Sequence, residues 1–254
     1  MIPLIIAHNT WREAVRDRVM LGMTVAGIVV MLAVQVLSPL ALGEGGRITV
    51  DLGLSTISVL GLLAILMVGT SLVAKEIERR TIFNLLSRPI ARPLYLLGKW
   101  AGLTASLWTV AGALGAVLCV VLAVRGVGGA SWPVIQAVYL AALELAVLTA
   151  VAVLCSALST PVLSALYTLG FYCVGQWSYD LRAFAAQFPQ PLGSLLRGVA
   201  AVVPNLPLFN MRSLAAAGEP TSGFHLLLAT GYALLVSACV LALASAAFES
   251  RDFK

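Results

Sequence analysis

The sequence predicts an all-α membrane protein with six transmembrane helices, and three observations carry that expectation. Of 254 residues, 60% are hydrophobic and only 11% are charged, whereas a soluble domain carries about 25% charged residues. The mean hydropathy is +0.99. Six apolar runs are long enough to cross the hydrocarbon: Val19 to Leu42, Leu52 to Ala74, Trp100 to Val124, Pro133 to Leu158, Pro161 to Trp177 and Phe224 to Phe248. Each must be helical, because the bilayer offers no water to its backbone groups, and the short alternating strands of a membrane barrel are absent from the pattern. Together they make one membrane domain over residues 19–254, preceded by an interfacial segment.

Residues 1–18 form that first element. On a helix Leu4, Trp11, Val15 and Val19 share a stripe while Arg12, Glu13 and Arg16 face away, which suits a helix lying in the membrane interface. Trp11, Arg12 and Arg16 are its candidate contacts, serving either as a simple anchor or against a partner. The charges precede any long apolar run and no small-residue cleavage site follows a short one, so the segment is expected to be retained rather than cleaved as a signal. The third run is expected to begin earlier, near Leu94, with Lys99 snorkelling to the interface.

Orientation follows from basic residues. Eleven of the 16 lie in the N-terminal segment, in the loop between spans two and three, and in the tail. Arg47, Arg125, Arg182, Arg197 and Arg212 fall in the alternate loops. The bias places both termini and residues 75–93 in the cytoplasm. The excess of 16 basic over 11 acidic residues reports orientation and lipid headgroups; no basic run points to nucleic acid.

The segment from Lys75 to Arg92 interleaves charge with apolarity as KEIERRTIFNLLSRPIAR. Glu76 precedes Arg80 by four residues and Lys75 precedes Glu78 by three, spacings that support a charged helical extension of the second span. A short amphipathic helix carrying Ile82, Phe83, Leu85 and Leu86 then starts near Thr81 and ends before Pro89, since the residue before proline is pushed out of helical space. One reading is a device that transmits force between two spans. The other is an interfacial hairpin whose arginines grip phosphates.

Glu144 is the single acidic residue deep within a span, where a charged carboxylate costs a few kcal/mol or more. It either lines a substrate path or is held by a hydroxyl of the third span such as Thr104, Ser106 or Thr109. Gln35, Gln136 and Gln176 sit nearer span ends, and Gln35 and Gln176 are the further candidates for a substrate path. Gly98 and Gly102 make one G-x-x-x-G, a weak sign of close packing.

Residues 178–222 form the long loop on the other side, too apolar for a solvated linker. Leu192, Leu195, Leu196, Val199, Val202 and Val203 give a helical stripe that Pro204-Asn205-Leu206-Pro207 closes. A pair of short helices dipping into the outer leaflet before the last span fits, acting as an outer gate or as an amphipathic surface helix. Pro204, Asn205 and Pro207 are therefore gate candidates. The tail from Glu249 to Lys254 reads as a membrane-edge anchor.

Enzyme chemistry is poorly supplied. The two histidines, His8 and His225, belong to opposite faces, and neither an H-E-x-x-H nor a G-x-S-x-G motif is present. Gly98-Lys99 is followed by Trp100 and preceded by Pro93 where a phosphate-binding loop needs glycine. The cysteines at 119, 155, 173 and 239 read as small apolar packing residues, and no catalytic residue or metal ligand set is expected.

The stretch KEIERRTIFNLLSRPIARPLYLLGK resembles the cytoplasmic signature of ABC-2 type permeases, the membrane subunits of ATP-binding cassette exporters. In that family the acidic-basic cluster, the threonine and the L-L-S-x-P-I-x-R stretch form a coupling helix seated on a separate ATPase. The resemblance puts that role on Glu76, Glu78, Arg79, Arg80, Thr81, Phe83, Leu85, Leu86, Ser87, Arg88, Pro89 and Arg92. HNTWREAVRDRV is similar to the family's interfacial helix. Pro204 to Asn210 and FESRDF resemble the permease branch associated with multicopper-enzyme maturation. The resemblance implies an exporter half of six spans in the bacterial inner membrane, a second permease copy, and two ATPase subunits that bind the ATP and magnesium this chain does not. Other readings are a scaffold that transmits force to periplasmic accessory proteins, and an ion-coupled carrier using Glu144.

Overall fold

The computed structural model describes residues 2–37, 44–70, 92–126, 131–185, 187–188, 193–194, 196–198 and 203–249. Among them every regular element is helical. Helix α1 spans Ile2–Arg16 and α2 Arg18–Leu37. Helix α3 spans Gly45–Ala64 and continues through a π-helical turn, Ile65–Gly69. There follow α4 at Arg92–Val124, α5 at Ser131–Leu158, α6 at Pro161–Gln176 and α7 at Ser178–Ala185. A 3-10 turn at Leu206–Phe209 and a short α8 at Arg212–Ala217 lead to α9 at Gly223–Glu249.

Five helices, α2, α3 with its π turn, α4, α5 and α9, are long and apolar enough to cross a membrane. The fifth expected span, α6, keeps its predicted limits but has 16 residues, about 24 Å of helix against a hydrocarbon core of about 30 Å. Proline at its first position and extended Thr160 before it set a sharp start. The Ser164 hydroxyl donates to the Cys155 carbonyl at 2.8 Å and closes the corner with α5. Helix α3 begins at Gly45, seven residues before the expected Leu52. The apolar scan stopped at Asp51 and Arg47, yet charges near a helix end are tolerated because they reach the interface, and Arg47 pairs there with Glu44 at 3.2 Å.

Helix α5 is the axis of the bundle. Every residue from Leu140 to Val153 is buried, which explains why its sequence is apolar all round rather than striped. Alanines alternate with leucines and valines along it, letting α3, α4, α6 and α9 approach its backbone. One apolar cluster joins Leu140, Leu143 and Val147 to Leu206, Phe209 and Ala233; another joins Met31, Leu54 and Ile57 to Leu114, Leu118 and Ala137. Cys155 is buried, whereas Cys173 and Cys239 face outward from their helices, so the packing role expected of all four cysteines does not hold for those two.

Helix α1 turns a second face to the bundle: Thr10 and Ala14 are buried, while Leu4 of the expected stripe is 75% exposed. Its packing partner is α4, and the seat is the G-x-x-x-G pair. A Cβ at Gly98 would lie 2.9 Å from Cβ of Ile6, and one at Gly102 only 2.5 Å from the Ala7 carbonyl oxygen. Small residues on both helices select this face, whereas apolar periodicity alone cannot tell a packed face from a lipid-facing one. Lys99, expected to snorkel, is 5% exposed with Nζ 5.9 Å from the Tyr95 ring centre. Between α1 and α2, the Val19 N–H donates to Asp17 Oδ1 at 2.9 Å, so Asp17 caps α2 and sets the corner.

Candidate functional site

The buried acid of α5 finds its partner on α6. Gln176, the last residue of that helix, donates from Nε2 to Glu144 Oε1 at 2.6 Å, and Glu144 is 3% exposed. The hydroxyls expected to hold Glu144 do not. Ser106 donates to the Leu103 carbonyl and Thr109 to the Ser106 carbonyl, each within its own helix, and Thr104 Oγ1 has no partner. The physical reason is angular: α5 is enclosed on all sides, so a residue on it can face α6 as readily as α4.

Two further groups, Arg212 and Tyr172, lie within electrostatic reach of the pair, and Ser55 holds the first of them. Arg212, at the start of α8, acts electrostatically on Glu144 while its Nη1 donates to Ser55 Oγ of α3 at 3.1 Å. Tyr172, one turn before Gln176, lies within electrostatic reach of Glu144 and Arg212. No ion pair joins Arg212 to Glu144 directly; among the described residues the carboxylate is met by an amide and the guanidinium by a hydroxyl. The buried Glu144 thus has the Gln176 amide for a partner, and the half-buried Arg212 the Ser55 hydroxyl.

The segment from Val203 to Met211 covers the cluster. A Cβ at Gly175 would fall 2.8 Å from Leu206 Cδ1 and 3.2 Å from the Pro204 carbonyl oxygen, so glycine beside Gln176 is what lets this segment seat. Leu206 and Phe209 are fully enclosed. Asn205 is tied twice: its N–H donates to Tyr232 Oη at 2.8 Å, and its Oδ1 accepts from the Ser178 hydroxyl at 3.0 Å. His225 Nε2 lies 3.0 Å from the Leu208 carbonyl oxygen. Pro204 is buried and Pro207 half-buried, bracketing an extended Asn205.

Of the residues singled out from sequence, the structure joins Glu144 and Gln176 and sets Pro204, Asn205 and Pro207 on the covering segment. Gln35 lies apart, at the end of α2, where Nε2 donates to the Met31 carbonyl and its backbone carbonyl accepts from Arg125 Nη2 at 3.0 Å. Trp11 is half-buried on α1 beside His8, with ring centres 5.8 Å apart, and Arg12 and Arg16 are exposed. Glu76, Glu78, Arg79, Arg80, Thr81, Phe83, Leu85, Leu86, Ser87, Arg88 and Pro89 lie outside the described residues, and Arg92 opens α4. Sequence reasoning missed Arg212, Tyr172 and Ser55. Arg212 was counted only as a loop charge, although an arginine within the apolar run from Leu206 to Ala217 needs a counter-group.

Gly98 and Lys99 are interior residues of α4, with backbone N–H groups committed to the helix, so no phosphate cradle exists there. No curated protein matches the chain. The family model described as ABC-2 family transporter protein matches residues 4–253. With five apolar helices able to cross a membrane and a match over nearly its whole length, the chain belongs to the ABC-2 transporter family and is a multi-pass membrane permease subunit.

Proposed function

We propose that the chain is the transmembrane half of an ATP-binding cassette exporter in the bacterial inner membrane. It works with a second permease copy and two ATPase subunits that hold ATP and magnesium. Both termini and residues 75–93 face the cytoplasm, and α6 crosses as the fifth of six spans. The segment from Lys75 to Arg92 seats on the ATPase, and its displacement rocks α3 and α4, which it connects, between two arrangements of the bundle.

The observation that supports transport over a passive scaffold is the Glu144–Gln176 hydrogen bond beneath the covering segment. A buried acid with Arg212 near but unpaired to it gives the bundle a polar point that a substrate can compete for. The segment around Pro204 then acts as the gate above it, held shut by Tyr232, Ser178 and Leu206. The family membership supports an ATPase partner and leaves the substrate's identity to experiment.

The test is reconstitution. The isolated chain is expected to show no ATP hydrolysis, and co-expression with its cognate ATPase to give a complex that hydrolyses ATP. Arg88→Ala or Glu78→Ala should lower hydrolysis in the complex while leaving the apolar spans folded. Robust hydrolysis by the isolated chain overturns the proposal, and hydrolysis in the complex that no variant of 75–93 alters overturns the coupling assignment.

A further inference from the structure

Helix α3 carries the one π turn among the described residues, Ile65–Gly69, and from there the chain runs on in sequence toward Lys75. The Thr70 N–H passes over the carbonyl four residues back and donates to the Ile65 carbonyl, so one extra residue is wound into the turn. The Leu66 carbonyl that it passes over accepts from the Thr70 hydroxyl at 2.6 Å. Thr70 thus returns from its side chain the bond its backbone withholds, which keeps the turn satisfied in apolar surroundings.

The helix before the turn and the turn itself are held differently. Before it, glycines seat α3 on its neighbours: a Cβ at Gly53 would lie 2.6 Å from Leu118 Cδ1 of α4, and one at Gly61 2.6 Å from Leu145 Cδ1 of α5. Ser55, on the same stretch, accepts from Arg212 at 3.1 Å. At the turn, a Cβ on Gly69 would be 3.9 Å from Ala152 Cβ, and the Ser156 hydroxyl donates to the Thr70 carbonyl at 2.9 Å, so this end of the turn rests on α5. Its other side is open. Met67 is 57% exposed, and a recess of about 350 Å³ lies between Leu66 and Met67 and the Pro161, Ala165 and Leu169 side chains of α6. Close-packed contacts resist displacement, whereas π turns are among the places where helices bend.

We infer that the π turn is a hinge: displacement of the segment from Lys75 to Arg92 bends α3 within Ile65–Gly69, while Gly45–Ala64 stays seated on α5. The inference rests on the coupling role proposed above for that segment and adds where α3 yields to it. The effect is selective. Ser55, and with it the bond to Arg212 behind the covering segment, is spared the stroke, which enters the bundle through the start of α4 instead.

The test is ATP hydrolysis by the full chain assembled with its ATPase, in a background lacking the native cysteines. Deleting Met67 takes out the extra residue and makes α3 an uninterrupted α-helix, whereas Met67→Ala trims the same outward side chain and keeps the turn. Hydrolysis should fall in the deletion to the level of Arg88→Ala, in protein that retains its helical circular dichroism, and should be unchanged in Met67→Ala. Thr70→Val removes the hydroxyl that serves Leu66 and should also lower hydrolysis, with Thr70→Ser restoring it; this pair decides the matter if the deletion does not fold. Gly61→Cys with Leu145→Cys pins the helix before the turn, since a Cβ at Gly61 would lie 3.2 Å from Leu145 Cγ, within a disulfide's reach. The pair should close on oxidation and leave hydrolysis unchanged. Full hydrolysis in the folded deletion, failure of the pair to close, or a fall on closure that reductant reverses overturns the hinge and leaves the exporter reading standing. A complex that hydrolyses no ATP, or that Arg88→Ala leaves unaltered, overturns the coupling reading and the hinge with it.

Discussion

Gln136 and Thr221 bond each other twice: the Gln136 amide donates to the Thr221 carbonyl at 3.2 Å, and the Thr221 N–H donates to Gln136 Oε1 at 2.8 Å. One side chain near the start of α5 thus satisfies both backbone groups of a residue in the turn before α9. Gln136→Ala leaves those groups without their partners and is expected to cost about 1–3 kcal/mol. The check is thermal unfolding in detergent, with Gln35→Ala, whose side-chain amide donates within its own helix, as the milder comparison.

The seat of α1 gives a second prediction. Gly102→Leu places a side chain into the Ala7 carbonyl and Thr10 and should detach α1 or cost about 1–3 kcal/mol of overpacking. A Cβ at Gly112, on the same helix, meets nothing within 4 Å. Gly112→Ala should therefore be neutral or stabilise by up to about 1 kcal/mol through helix propensity. Protease cleavage between α1 and α2 separates the two outcomes.

Glu144 and Arg212 should behave as a coupled unit. Glu144→Gln keeps an acceptor for Gln176 and removes the charge; Glu144→Leu removes both. If the cluster lines a transport path, both lower substrate-stimulated ATP hydrolysis of the assembled complex, and Arg212→Met adds little in the Glu144→Gln background, a shortfall from additivity of about 0.5–3 kcal/mol. Loss in Glu144→Leu alone assigns the carboxyl to structure, and full activity in both removes it from the path.

Orientation is checked by labelling intact cells with a membrane-impermeant thiol reagent in a background lacking the native cysteines. Ser213, exposed on α8, should react once changed to cysteine, and cysteine at position 87 should not. The reverse pattern would put Arg212 and the covering segment on the cytoplasmic face and dismantle the outer-gate proposal.

The helices that cross the apolar layer were legible because nothing but a helix satisfies a backbone in hydrocarbon, and α9 and α6 fall within a residue or two of their expected limits. Legibility failed wherever lipid and protein compete for the same apolar side chain. Leu4 and Ile6 are equally apolar on paper, yet only Ile6 meets α4 at Gly98. The acid on α5 was visible as an anomaly, and its companion Gln176 was among the candidates, but their pairing was not: partners 32 residues apart in sequence become neighbours through the corner at Ser159 and Thr160. Arg212 was hidden because basic residues in loops are read as votes on orientation.

The glycine seat has a mechanical meaning as well as a packing one. Where α1 touches α4 at Gly102 the contact is the Ala7 carbonyl and the short, β-branched Thr10 side chain against a missing side chain, with no long flexible rotamer between them to act as a spring. Close-packed matter of this kind has low compliance, so a tilt of the first turns of α4 is handed to α1 almost undiminished. The first place along the chain where that motion can change direction is the capped corner at Asp17, which makes α1 and the start of α4 a single stiff lever with α2 as the arm it turns.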